Sequence, residues 1–209
     1  MTARVLVACE FSGTVRDAFL YQGFDAWSCD ILPTECPGPH IEGDILNHLD
    51  ENWDLMIAHP PCTYLANSGV RWLYGGKGTD RDEVRWRQME DAAQFFWRLL
   101  NAPIPHIAVE NPIMHRYAVE IIGRKQDQLI QPWQFGHGET KATCLWLSKL
   151  PLLKPTNTVD GRAGRIHHES PGPDRWKRRS VTYTGIAQAM ASQWGAYVTR
   201  NQIERMESA

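Results

Sequence analysis

Short apolar runs, each ending in a polar residue and separated by stretches of helical period, fill the first two-thirds of the 209-residue chain. Residues 4–9 form a β-branched run that ends in a turn at 10–13. Residues 14–21 follow with Val15, Ala18 and Phe19 on one helical face, and Gly23 stops that helix. Strand patterns recur at 24–29, 41–45, 54–58 and 106–110, with a Pro/Gly-rich break at 33–39. A long helix is predicted up to Leu100, with Trp86, Met89, Ala93, Phe96 and Leu100 at helical spacing, and Thr79 with Asp82 resembles a capping box ahead of it. Segments 129–133 and 143–147 give a final strand pair, and 186–198 a closing helix with Ala187, Met190, Ala191 and Trp194 on one face. Alternating strands and helices imply an α/β fold with a parallel sheet and right-handed crossovers. In such sheets ligands bind beyond the carboxyl ends of the strands. Glu10, Asp30, Asp44, Cys62 and Glu110 end five different segments, so they should converge on one rim. The length suits a single domain spanning 1–209.

The formal net charge of −2 hides an asymmetry. Residues 148–182 carry eight Lys/Arg against three acids, whereas the remainder carries fourteen against twenty-one. A basic, Pro- and Gly-containing loop on an acidic body is suited to contact a phosphate backbone; a solvated surface loop is the alternative. The five cysteines have no metal-ligand spacing, and no metal is expected. The absence of a secretory layout and of long apolar runs points to a cytoplasmic chain with reduced thiols and no membrane partner. Nine tryptophans are many for this length; core packing is the default and base stacking the alternative.

Cys62 directly follows Pro60-Pro61 at the end of the buried run 54–58. Two prolines stiffen the backbone. The loop beyond, rich in backbone N–H groups, is expected to lower the thiol pKa. Taken alone, such a cysteine is equally a small buried residue.

The stretch HPPCTYLANSG at 59–69 resembles the nucleophile motif of the DNA cytosine carbon-5 methyltransferases, with Cys62 at the nucleophile and Ser68-Gly69 at its small-Gly end. VENP at 109–112 resembles that family's Glu-Asn motif, which places Glu110 at the glutamate gripping the cytosine. EFSGTVRDAF at 10–19 resembles the first cofactor loop, Asp30 falls at the ribose-holding acid, and GDI at 43–45 resembles the segment contacting adenine. The cofactor-binding set implied is Glu10, Phe11, Ser12, Gly13, Asp30, Ile31, Asp44, Ile45 and Pro60. FGHGETKATCLWL at 135–147 resembles the Gln-x-Arg-x-Arg segment and its following strand, and TGIAQAMA at 184–191 the last motif. The chain departs from the pattern at Val15, in place of the second loop glycine, at Thr143, in place of the second arginine, and at Ile186, in place of asparagine. The family's recognition domain is replaced by the basic segment 148–182.

The resemblance implies a Rossmann-like class I S-adenosylmethionine-dependent methyltransferase fold, mostly parallel with an antiparallel last strand. It implies S-adenosylmethionine as cofactor and DNA as partner, the latter held by Lys141, Arg162, Arg165, Arg175, Lys177, Arg178 and Arg179. It also implies thiolate attack by Cys62 on cytosine carbon 6, with a protonated or proton-sharing Glu110 stabilising the ring. Burial would raise the Glu110 pKa for that role. The Gly-containing stretch 67–78 is the candidate lid over a flipped-out base. Two other readings are an amino-methyltransferase acting on an exocyclic nitrogen and a non-catalytic nucleic-acid-binding relative.

Overall fold

A computed structural model describes residues 2–75 and 80–207. Seven strands form one sheet: β1 (Arg4–Ala8), β2 (Asp25–Asp30), β3 (His40–Glu42), β4 (Leu55–Ala58), β5 (His106–Asn111), β6 (Gln128–Ile130) and β7 (Thr143–Ser148). Their order across the sheet is β3-β2-β1-β4-β5-β7-β6. β1 to β5 are parallel, and β7 runs antiparallel between β5 and β6. The chain therefore builds outward from β1 to β3, then reverses and adds β4 on the other side of β1. A cleft opens where such a sheet switches direction, outside the ends of β1 and β4.

The alternation of side chains along central strands divides the core into two layers. Leu6, Ala8, Met56, Ala58, Ile107 and Val109 pack with Met89, Ala93 and Phe96 of α2 (Glu83–Leu100) and with Ala118 and Ile122 of α3 (Arg116–Ile122). Val5, Val7, Leu55 and Ile57 pack on the opposite face with Val15 and Phe19 of α1 (Thr14–Tyr21) and with Ile186, Met190 and Trp194 of α5 (Thr184–Glu207). Every residue of β4 is buried, as a strand covered on both faces requires.

Several boundaries differ from the sequence expectations. The third strand ends at Glu42, because Asp44 caps a 3₁₀ turn over Ile45–Asn47. The 129–133 run is cut at Ile130 by Pro132, which starts another 3₁₀ turn. Asp82 is itself the N-cap of α2, its carboxylate accepting the Arg85 N–H at 3.0 Å. Thr79, Gly76 and Gly78 lie outside the described residues. The lid stretch contains a 3₁₀ helix at Asn67–Leu73. α3 was not anticipated: its cap is His115, whose Nδ1 accepts the Ala118 N–H at 3.2 Å, a residue outside the usual capping set. The basic segment holds a helix, α4 (Arg175–Ser180), instead of being loop throughout. Among the described residues no helix is long and apolar enough to cross a membrane.

Candidate active site

At the end of β1 the backbone turns sharply, with Cys9 in the left-handed region at φ 58°. A non-glycine residue held there is a form of backbone strain that clusters at functional sites. Glu10 follows, buried, and its carboxylate accepts the N–H groups of Val15 (2.7 Å) and Arg16 (3.1 Å) and the Ser12 hydroxyl (3.2 Å). Glu10 thus satisfies the open N–H groups at the start of α1 and complements its dipole. Gly13 precedes that helix in a left-handed conformation.

Arg16 lies fully buried beneath this loop. Its guanidinium donates to the hydroxyls of Ser28 and Thr34 and to the carbonyls of Cys36 and Pro37. Its only sequence signal is a charge within an otherwise helical pattern, so it was missed.

Asp30 ends β2, half-buried, with Oδ1 accepting the Leu32 N–H at 3.0 Å. Burial raises its pKa above the ordinary carboxylate value. The Gly43 N–H donates to the Asp30 carbonyl at 2.8 Å, so Asp44 lies on the neighbouring strand end, its Oδ1 accepting the Leu46 N–H. Ile31 is 76 % exposed on this rim, whereas the Ile45 side chain packs into the core beside α2. Burial, followed by the charge of Asp30 among the lesser causes, raises the Cys9 thiol pKa. Cys9 follows β1, which lies between β2 and β4, and lines the cavity beside β4.

His59, Pro60, Pro61 and Cys62 leave the end of β4, and Glu110 and Asn111 end β5. The two ends are tied together. The Nδ1–H of His59 donates to Glu110 Oε2 at 3.2 Å, and the Asn111 amide donates to the Pro60 carbonyl at 3.0 Å. Among the described residues His59 Nε2 and Asn111 Oδ1 are buried with no partner. An unpaired buried polar atom is costly, and one beside a cavity is available to a ligand. His59 was not singled out in the sequence, although its place before Pro-Pro put it on the same rim.

A cavity of about 110 Å³ is lined by residues 9–12, 59–62 and 110–112, by Lys141 and by residues 179–182. It brings together Glu10, Phe11, Ser12, Pro60, Cys62, Glu110, Lys141 and Arg179. Asp30, Ile31 and Asp44 are outside its lining, farther along the rim.

Two electrostatic expectations are corrected. Burial pushes the Glu110 pKa up, but the hydrogen bond from His59 and the charge of Lys141 outweigh it, so the carboxyl is held below its ordinary value. Cys62 is exposed as a residue, yet desolvation at the cavity wall and then the charge of Glu110 raise its thiol pKa. Lys141 and Arg179 act in the opposite direction without reversing the shift. These directions leave Glu110 ionised at neutral pH and Cys62 a thiol.

The basic segment is less free than its composition suggested. Arg165 pairs with Glu139 (3.1 Å), Arg178 with Glu169 and Lys177 with Glu35 (3.0 Å). Arg175 donates to the Glu169 carbonyl, and Arg162 lies over the Trp133 ring. Trp176 of α4 packs edge-on against Phe11, with ring centroids 5.7 Å apart, so this helix lies against the loop that follows β1. Lys141 donates to the carbonyls of Arg179 (2.9 Å) and Val181 (3.5 Å), fixing that strand of backbone over the cavity.

No family model and no curated protein sequence matches the chain. Among solved structures, the chain is similar in part to one assigned as a DNA modification methyltransferase encoded within an E. coli prophage. The two are 13% identical with a TM-score of 0.45, over 81% of this chain and 56% of that one. It is similar in the same degree to the Entamoeba histolytica methyltransferase EhMeth, 12% identical with a TM-score of 0.46, over 82% of this chain and 61% of the other. The chain thus spans less than two-thirds of either structure.

Proposed function

We propose that the protein transfers a methyl group from S-adenosylmethionine to carbon 5 of cytosine in DNA, with Cys62 as nucleophile. The observation that carries this reading is the meeting of Cys62 and Glu110, from the ends of adjacent parallel strands, in one cavity with Lys141 and the β1 loop. Four segments far apart in sequence supply these groups, and the rim they form is where ligands bind in such sheets.

The residues present suit the cofactor's nucleoside end. Carboxylates are acceptor-only, and Asp30 and Asp44 on neighbouring strand ends match the hydroxyls of a ribose and the amino group of adenine. The exposed Ile31 offers an apolar contact beside them. The first N–H groups of α1 are already taken by Glu10, so this chain supplies its own anion at that helix terminus. The cofactor, when bound, contributes an electrophilic methyl sulfonium.

Cytosine carbon 5 is too weak a nucleophile to react unaided. Addition of the Cys62 thiolate at carbon 6 makes carbon 5 electron-rich; after methylation, loss of the carbon-5 proton and breaking of the sulfur–carbon bond restore the ring and the thiolate. Lys141 and Arg179 favour the thiolate, and Glu110 disfavours it while ionised. When a bound cytosine leads Glu110 to take up a proton from solvent, the negative charge is removed and the protonated carboxyl donates a hydrogen bond to ring nitrogen 3. Base binding and thiol ionisation are then linked: the nucleophile becomes competent once its target is present. His59, bonded to Glu110, is placed to hold or return that proton.

DNA carrying 5-fluorocytosine tests this directly, because fluorine cannot leave as a proton does. A cofactor-dependent covalent complex is expected with the native protein and none with Cys62→Ser, which should keep cofactor binding. Methylation of an exocyclic nitrogen with full activity in the serine variant would identify an amino-methyltransferase. Neither adduct nor methyl transfer would leave a binding module.

A further inference from the structure

We propose that an unpaired DNA strand runs from Cys62 across a second surface, built by Tyr64, Trp72, Arg81, Arg85 and Arg116 and separate from the basic segment. The inference rests on the nucleic-acid reading of the site. The surface begins one residue beyond Cys62, where Arg85 Nη2 donates to the Thr63 carbonyl at 3.1 Å and its guanidinium lies 4.2 Å from the Tyr64 ring centre. It continues through a cluster of rings. Arg81 lies 4.1 Å from the centre of Trp86, Trp86 is 4.8 Å from Tyr117, and Arg116 is 4.6 Å from Tyr117. Arg71 covers Trp72 in the same way at 4.6 Å. The Asn67 N–H donates to the Ile113 carbonyl at 2.8 Å, which joins the 3₁₀ helix bearing Trp72 to the segment leading into α3.

Two observations make this surface unlike ordinary packing. Trp72, Val84 and Ile113 are 57 %, 67 % and 45 % exposed, so apolar side chains are open to a partner on the segments that carry the rings. Among the described residues, none of Arg71, Arg81, Arg85 and Arg116 has a carboxylate within ion-pair distance, whereas Arg165, Lys177 and Arg178 of the basic segment all do. Bases stack on aromatic rings and on guanidinium planes alike, and only an unpaired strand exposes base faces to do so. A duplex offers phosphates but no faces. The nearby acids Asp80, Asp82, Glu83 and Glu120 match the four arginines in number, and Asp82 is committed to capping α2. Binding here is therefore led by stacking, with a shallower salt dependence than phosphate contacts alone would give.

Fluorescence anisotropy of a labelled, cytosine-containing strand of about twelve nucleotides, within the usual site size, and of its duplex tests the surface on the full chain. The strand should bind more tightly than the duplex. Trp72→Ala, and separately Arg81→Ala with Arg116→Ala, should each weaken strand binding by about tenfold, the scale of one lost base stack. Arg81→Lys with Arg116→Lys keeps the charge but loses the plane, and should also lose most of the affinity. Wild-type affinity within about twofold in all three variants, no strand binding, or a duplex bound as tightly as the strand would overturn the proposal. Surface-dependent binding without methyl transfer would sink the catalytic reading and leave this one. Methyl transfer with unaltered strand binding would do the reverse.

Discussion

Glu110 sets the electrostatics of the cavity, because it biases the neighbouring Cys62 thiol against ionisation. Its charge is the second cause, after burial, of the raised Cys62 thiol pKa. Glu110→Gln removes that charge and keeps the shape, so Cys62 should ionise at lower pH. Peptide-resolved alkylation against pH should show the Cys62 profile moving to lower pH in Glu110→Gln, and to higher pH in Lys141→Met, where a thiolate-favouring charge is lost. An unmoved profile in both would mean the two groups do not sense one another. Exposed Cys36 serves as an internal control, while burial holds Cys29 at about 12 and Cys144 at about 11. That Cys62 and Glu110 share one rim was legible because each follows or ends an apolar run. The sequence did not disclose the sign of their pKa shifts, because Lys141 and His59 reach Glu110 from other segments and only the fold brings them there.

Two elements were legible almost to the residue, whereas the closing helix expected at 186–198 runs Thr184–Glu207. α1 matches the expected 14–21, and β7 exceeds 143–147 by one residue. What escaped was local punctuation: a histidine cap on α3, a short helix inside a proline-broken basic stretch, and a 3₁₀ turn where a strand was expected to continue. The start of α5 shows how far packing exceeds pattern. A Cβ on Gly185 would lie 1.9 Å from the Phe135 carbonyl oxygen, so helix and backbone touch there with no side chain between them. Gly185→Ala should cost about 1–3 kcal/mol, the usual penalty for overpacking, measurable as a lower midpoint in urea. Gly172→Ala, with nothing within 4 Å of the added carbon, is the neutral comparison; equal loss in both would refute the close approach.

At the scale of the whole molecule, the segment 148–182 is divided between two tasks. Residues 179–182 roof the cavity, while α4 rests on the β1 loop through Trp176 and through Lys177 paired with Glu35. The cavity of about 110 Å³ is small beside the roughly 300 Å³ or more of a ligand pocket, so under the proposed function the roof lifts to admit the cofactor. Trp176→Ala removes an aromatic pair worth about 0.5–1.5 kcal/mol. It should therefore speed S-adenosylhomocysteine association by a few-fold to about tenfold in stopped-flow binding. Unchanged association would show that α4 does not gate the site. Arg16 carries a different lesson about such a molecule. It holds the irregular 33–39 stretch chiefly through carbonyl groups, which every amino acid supplies. Positions of that loop that meet Arg16 only through a carbonyl can change without losing the anchor, but Gly38 cannot, because a Cβ there would lie 2.7 Å from the Arg16 guanidinium carbon. Mutational tolerance is thus distributed unevenly, broader along the 33–39 rim and narrow where Gly38 meets the hidden cation beneath it.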